Sequence, residues 1–480
     1  MRPKRLKPGQ TSELNCLIEQ ADKAATPFFE VPFELPEGVT RLDVNFSYAK
    51  ADDCILDIGI LDSSATGYPT RSGFRGWSGS ARNNFFIGTD AATPGYNAGT
   101  MPGGIWTLLF GLYRVPLQGV KVTLKLRADA TPRAAFAAPK LVSARRDAPG
   151  WYRGDLHCHT HHSDAKGSPG LLHETARGLE LDFLAVTDHN TTSQWLYFGP
   201  NSTPDLIFVP GMEVTTYRGH ANLFGLKDWI DFRLGGSHDL DELVAEARRQ
   251  GALLSVNHDK EPLPWDYDYP DMDCMEVYHG HWLTGNDRIL TTYDRLLGEG
   301  RRISLIGGSD YHQPAKPGPL RPFGLGTPTT VLWLSHLDAD AIVDGLRSGC
   351  GFVTESPTGP HLSITVDDRP MGSVLYDDGD INIKAAVNGA AGDRLVLTSE
   401  QGPVAEMIIS SDHWLKTITL PAPSSFLRAE IVADRSRARL IAELVDWYSD
   451  NLALHRGQQS LTSTPPIRRA LSNPIYFEAG

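Results

Sequence analysis

Cysteine is scarce: five in 480 residues, at positions 16, 54, 158, 274 and 350. They are odd in number and far apart, and no spacing rule pairs them, so a disulfide framework is excluded and a reducing cytoplasm is the expected compartment. Positive charge is also short. Forty-five Lys and Arg against 58 Asp and Glu leave a formal charge of -13, with no general basic surface to hold a nucleic-acid backbone. Long DNA or RNA is therefore not expected as a partner. No apolar stretch approaches membrane-spanning length, and the first twenty residues lack the apolar core of a signal peptide, so no membrane partner is expected. Repeats of fixed period and low-complexity tracts are missing as well. What is there is ordinary: 41% hydrophobic residues, with 46 Gly and 33 Pro to make turns. The length exceeds one compact core and implies about two to four domains.

Three regions follow from the patterning. Over 28–127, short alternating runs such as 42–48, 105–113 and 120–126 are broken by Gly, Pro, Asn and Asp, which predicts an all-β sandwich. An Ala- and Pro-rich stretch at 128–150 reads as a linker. From 154 to about 354, apolar strand candidates at 183–186, 206–209, 253–256, 303–306 and 331–334 alternate with helical patterns such as 240–250, closed by Gly251. Repeated β and α units predict an α/β region with a parallel sheet or barrel. Strand-like alternation returns at 362–366, 381–387 and 428–432, for which a second β-sandwich-like domain fits. The expected domains are 1–150, 151–359 and 360–480.

Chemistry concentrates in the middle region. In Gly154-Asp155-Leu156-His157-Cys158-His159, two histidines stand two apart, a strand spacing that points both imidazoles to one face. Cys158 between them should face the opposite side and pack as a small apolar residue. Asp164 follows in the next loop. The strand at 183–186 runs into Asp188 and His189, that at 206–209 into Glu213 with His220 after a turn, that at 253–256 into His258, and that at 303–306 into Asp310 and His312. Any one of these has a bland reading as a cap, a solvated loop carboxylate or a satisfied histidine. Five strand ends delivering only His, Asp or Glu point instead to a metal site, and imidazole mixed with carboxylate suits Zn, Mn or Fe. Asp188 is expected either to orient a ligand imidazole or to cap a turn.

With these motifs in order, residues 154–312 resemble the polymerase and histidinol phosphatase (PHP) family, and the larger layout is similar to its carbaryl-hydrolase-like stand-alone branch. The matching pieces are Asp-Leu-His157-Cys-His159-Thr with Ser163-Asp164, Thr-Asp188-His189-Asn190, Gly-Met-Glu213 with His220 and His258, and Gly-Ser-Asp310-Tyr-His312. The resemblance implies a distorted seven-stranded (β/α) barrel, flanked here by N-terminal and C-terminal β-sandwich-like domains, with two or three divalent transition-metal ions at its mouth. It would place one ion on His157, His159, Glu213 and Asp310, a second on Glu213, His220 and His258, and a third on Asp164, His189 and His312. Many members of the family carry His where Asp164 stands.

Paired ions of this kind imply hydrolysis by a metal-bound hydroxide, with Glu213, Asp310 and His312 as the catalytic set. The expected substrate is a small molecule, a phosphomonoester or phosphodiester first, with a carbamate or carboxyl ester as the alternative and a non-catalytic scaffold third. Cations in the site loops, Lys166, Arg218, Lys260, Lys316 and Arg321, are candidates to clamp a phosphate; Lys260 and Arg218, with His281, are the expected substrate contacts. His279 and His281 form a further spaced pair placed to meet the substrate or protonate a leaving group, although ordinary polar loop residues are the plainer reading. Trp195, Trp265 and Trp282 can supply an aromatic wall or simply pack.

Overall fold

A computed structural model of the protein describes residues 3–51, 53–235, 237–312, 324–376, 379–441 and 466–478. The N-terminal strands form two sheets. One runs, in spatial order, Lys4–Arg5, Phe28–Leu35, Gly104–Arg114, Ile55–Leu61 and Phe74–Gly79; the other Thr11–Ile18, Val120–Asp129, Arg41–Ser47 and Asn84–Gly88. Strict alternation explains the layering: in Val120–Asp129 every second side chain is buried. Val122, Leu124 and Leu126 join Val44, Phe46, Ile58 and Phe110 in one core. The runs expected at 42–48, 105–113 and 120–126 are thus strands.

The middle of the chain is a mixed α/β arrangement with a curled sheet. Seven strands lie side by side in chain order: Gly150–Cys158, Phe183–Val186, Ile207–Thr216, Gly219–Phe224, Leu253–Val256, Cys274–His279 and Ser304–Gly308. All neighbours are parallel except Gly219–Phe224, which is antiparallel to both of its own. Beyond the last strand the chain curls back to the first, with Asp310 N donating to His157 O at 2.8 Å and His159 N to Tyr311 O at 3.0 Å. These strands read as continuous apolar runs because helices such as Pro169–Gly178 cover them: Cys158, Leu184 and Val186 pack with Leu172 and Ala176. Cys158 therefore turns away from its flanking histidines, as expected. Close approach at the curl needs Gly308, where a Cβ would stand 2.3 Å from His157 Cβ.

Residues 130–149 carry no helix or strand, only an isolated bridge from Arg146 to Leu337. After the curl, Thr329–Leu334 pairs antiparallel with the first half of Gly150–Cys158, and the sheet continues through Gly351–Thr354, Arg468–Ser472, Phe426–Val432, Arg394–Ser399 and Gly402–Ile408. A second sheet of His361–Val366, Asp380–Asn388, His413–Pro421 and the short Arg369–Pro370 shares a core with it, through Leu362, Ile364, Ile383, Leu395, Ala429 and Ile431. The C-terminal strands thus extend the central sheet, a strand order that periodicity does not encode. Among the described residues no helix is long and apolar enough to cross a membrane.

Candidate metal centre

Strand ends bring the predicted donors together. Glu213 is fully buried, and its Oε1 lies 3.3 Å from His157 Nε2, 3.2 Å from His220 Nδ1 and 3.3 Å from His258 Nε2. Its Oε2 lies 2.7 Å from His189 Nδ1 and 3.7 Å from His159 Nε2. Asp310 Oδ1 faces His159 Nε2 at 3.0 Å, His157 Nε2 at 3.3 Å and His312 Nδ1 at 3.4 Å. Asp164 Oδ1 faces His312 Nε2 at 3.1 Å and His189 Nε2 at 3.4 Å. All nine residues singled out as ligands therefore meet in one cluster. Backbone strain accompanies it: Asn190, His258 and Asp310 hold φ of 57°, 26° and 50°, a left-handed region that costs a non-glycine residue about 1–3 kcal/mol and concentrates at functional sites.

The electrostatics are those of carboxylates and imidazoles packed closely in a largely buried cluster. Burial raises Glu213, but His157, His220 and His189 outweigh it and hold the carboxyl well below its usual range. Burial lowers His312, yet Asp310 and Asp164 carry it up to about 10; His189, likewise opposed by burial, is carried to about 9 by Asp164 and Glu213. His159 goes the other way, to about 3, through burial and then its neighbours His312 and His189. The donor set fits a metal on its own evidence. His157 Nε2 and His159 Nε2 are buried beside the carboxylates of Glu213 and Asp310 yet meet no hydrogen-bond geometry with them, which leaves each nitrogen's lone pair open to a cation. Groups whose ligand atoms lie within 4.8 Å of one another include His157, His159 and Asp310; His157, Glu213 and His258; His189, Glu213 and His220; and His159, His189 and His312.

Two participants escape the sequence reading, and a third, His279, takes a different place from the one expected. Glu276, fully buried in Cys274–His279, sits 2.8 Å from His157 Nδ1 and accepts from the backbone N of His258 at 3.0 Å, so it orients the His157 imidazole and fixes the backbone that carries His258. An acid inside an apolar strand is itself a signal, because burying it unpaired is costly. Asn257 Nδ2 donates to Glu213 Oε1 at 3.0 Å. His279 Nε2 lies 3.2 Å from Asp310 Oδ2 and groups with His258 and Asp310. It stands at a strand end as His258 does, so the rule that selects His258 selects it too, and the polar-loop reading is corrected.

Other expectations change. Lys260 is buried, and its ammonium spends its three protons inside the protein, on His279 O at 3.1 Å, Thr284 Oγ1 at 2.7 Å and Asn286 Oδ1 at 3.1 Å. Burial lowers it to about 7. It fastens two loops and has no donor left for a substrate anion. His281 caps a short helical turn by accepting from Leu283 N at 3.2 Å. Arg218, exposed at the hairpin tip, pairs with Asp266 at 3.2 Å and lies over Tyr267. Lys166 is exposed beside Asp164, with its backbone N bonded to His312 O at 3.0 Å. Lys316 and Arg321 lie outside the described residues. Asp188 binds no imidazole: its oxygens accept from Thr160 N, Thr160 Oγ1, Ser163 N and Ser163 Oγ at 2.6–3.2 Å, which makes it the cap of the turn before Asp164. Trp195, Trp265 and Trp282 all pack against the same hydrophobic core, Trp282 at 1% exposure.

No protein-family model and no curated protein matches the chain. Among solved structures it is similar to a two-domain protein from Bacteroides vulgatus ATCC 8482 containing a predicted PHP-like metal-dependent phosphoesterase, at TM-score 0.34 and 16% identity over 62% of this chain and 95% of that one. It is also similar to an amidohydrolase from Chromobacterium violaceum with bound sulfate, at TM-score 0.25 and 16% identity over 34% of this chain and 88% of that one. Likeness at this level leaves the chemistry to be argued from the donor cluster itself.

Proposed function

We propose that this chain is a polynuclear metal-dependent hydrolase acting on a small phosphomonoester or phosphodiester, and that its curled sheet is a distorted seven-stranded (β/α) barrel between two β-sandwich-like domains, 1–150 and 360–480. One observation carries the reading. The pairs linking His157 and His159 to Asp310, His157, His220 and His258 to Glu213, and His189 and His312 to Asp164 all fall between 3.0 and 3.4 Å. Two ligand atoms of one ion, each bonded at ~2.1 Å, stand roughly 3.0–3.4 Å apart in octahedral or tetrahedral shells. Nine such residues exceed one ion's shell, hence two or three ions of Zn, Mn or Fe.

In this reading His157, His159, Glu213 and Asp310 hold one ion, Glu213, His220 and His258 a second, and Asp164, His189 and His312 a third. Ions so held supply Lewis acidity and make water acidic enough to attack near neutral pH. The chain's own part is to fix the donors: Glu213 joins two sets through its two oxygens, Glu276 holds His157, and Asn257 holds Glu213. Asp164 and His312, with side chains 49% and 24% exposed, face the mouth and meet the substrate first. The phosphoester class rests on the motifs of 154–312. Carbamate or carboxyl-ester hydrolysis, the activity of the carbaryl-hydrolase-like branch, is the alternative; it needs an apolar wall, and Trp265 and Trp282 are committed to the core.

The test is elemental analysis and a substrate panel on one preparation. After reconstitution with Zn, Mn or Fe, at least two ions per chain are expected, with aryl phosphoesters cleaved faster than carbamates. A stoichiometry persistently below one removes the polynuclear reading. A naphthyl N-methylcarbamate cleaved far faster than any phosphoester replaces the substrate class and keeps the metal centre.

A further inference from the structure

Three loops at the mouth of the cluster are gripped by the N-terminal sandwich. Arg82, half-buried, donates from Nη1 to Ser163 O at 3.0 Å and from Nη2 to His161 O. The same turn is held from beneath by Asp188, and Asp164 is its next residue. Thr191 Oγ1 donates to Gly95 O at 3.1 Å, and Gly95 at φ +95° has no space for a side chain, since a Cβ would stand 2.5 Å from His162 O. On the hairpin between Glu213 and His220, the Tyr217 hydroxyl donates to Asp57 Oδ2 at 2.5 Å. Gly111 makes that contact possible, because a Cβ there would lie 2.1 Å from the hydroxyl.

The donors differ in what supports them. His157, Glu213, His220 and His279 belong to strands, and His258 and Asp310 each stand two residues beyond a strand end. Asp164 lies on a turn and is half exposed, so its position depends on what that turn is bonded to. A ligand held only by its supporting contacts loses metal affinity about 10–100-fold when those contacts go.

We propose that the N-terminal sandwich is a working part of the metal centre: Arg82 is a positioning residue that fixes the turn 160–163 and with it the reach of Asp164 toward His189 and His312. The inference rests on the metal-centre reading above. It gives residues more than 70 positions before the first ligand a role in how many ions the site takes.

The test uses the full chain, stripped with a chelator and titrated with Mn(II), followed by calorimetry and by electron paramagnetic resonance of free Mn(II). Arg82→Ala should weaken the most weakly held ion at least ten-fold, as Asp164→Asn should, and leave the tighter ions unchanged. Arg82→Lys, which keeps one donor for the two carbonyls, should recover part of the loss and decides the matter if the alanine variant does not fold. Arg233→Ala is the control. Arg233 pairs with Asp231 and with Glu30 of the sandwich, at 2.7 and 3.3 Å, away from the three loops, and its loss should leave Mn(II) binding at the wild-type level. Wild-type affinities in a folded Arg82→Ala protein overturn the inference and leave the metal centre standing. Equal losses in Arg82→Ala and Arg233→Ala also overturn it, by assigning the effect to general docking. A wild-type chain that binds no Mn(II) overturns both readings.

Discussion

Glu213→Gln should reduce turnover by more than ~100-fold while the circular dichroism spectrum keeps its wild-type shape, the scale expected when a metal-activated nucleophile is lost. The reason lies in the company Glu213 keeps. Five imidazoles, those of His157, His159, His189, His220 and His258, approach its two oxygens within 3.7 Å. A carboxylate offers each of them, or an ion among them, half a negative charge on either side. An amide offers one neutral oxygen and, on the other side, N–H groups that repel a cation. Bridging is therefore lost without any change in volume, so the core around the strand Ile207–Thr216 has no reason to repack. Near-wild-type turnover from a folded variant would reduce Glu213 to a bystander. A variant that neither folds nor binds metal would instead show that the carboxylate holds the apo cluster together.

Arg428→Met should cost about 3–5 kcal/mol of stability, read as a lower denaturant midpoint, because it breaks a buried ion network from one side. The Arg428 side chain is 2% exposed and donates Nε and Nη2 to the two oxygens of Asp294 at 2.7 and 2.6 Å and Nη1 to Glu430 at 2.9 Å. Although burial disfavours its charge, Asp294 and Glu430 raise the guanidinium further above its usual value. Asp294 belongs to the helix Asn286–Gly298 and Glu430 to the strand Phe426–Val432, so the fork fastens the central region to the C-terminal sheet. Methionine fills much of the volume but leaves Glu430, 5% exposed, with Arg468 at 3.4 Å as its remaining cation among the described residues. Replacing Glu430 by Gln in the same chain should return part of the loss, since the stranded charge is then gone. A loss below about 1 kcal/mol would place the network among ion pairs that only balance their desolvation.

The sequence exposes donors better than it exposes supports. His157, His159, His189, Glu213, His258, Asp310 and His312 stand at or just beyond apolar strands whose ends are legible from composition, and that position alone places them at one mouth. Asp164 follows in the adjoining turn, and His220 stands near the start of the strand after the hairpin. What stayed hidden depends on contacts between distant segments. Lys260 reads as a free cation beside a ligand until Thr284 and Asn286 are brought to it. His281 and Asp188 read as chemistry until the backbone groups they cap are in place. The same holds for the sandwich: nothing in the periodicity of residues 74–113 says that Arg82 or Gly111 will meet the loops of another region. Glu276 and His279 are different, for an acid in a buried strand and a histidine at its end are both visible in the run 274–279.

The curl that brings the last strand of the central sheet back to the first is closed by a narrow seam, described above as two backbone hydrogen bonds around His157, His159, Asp310 and Tyr311. His157 and His159 stand on one lip of that seam, Asp310 and His312 on the other. An ion held by donors from both lips would fasten them to each other, so metal binding would add to the stability of the closed seam. Metal at 100 times its Kd would stabilise the shut form by about 2.7 kcal/mol. The amides of His159 and Asp310 are then the reporters of occupancy: their hydrogen exchange should be the first to quicken when the ions are stripped, before any strand far from the seam begins to open.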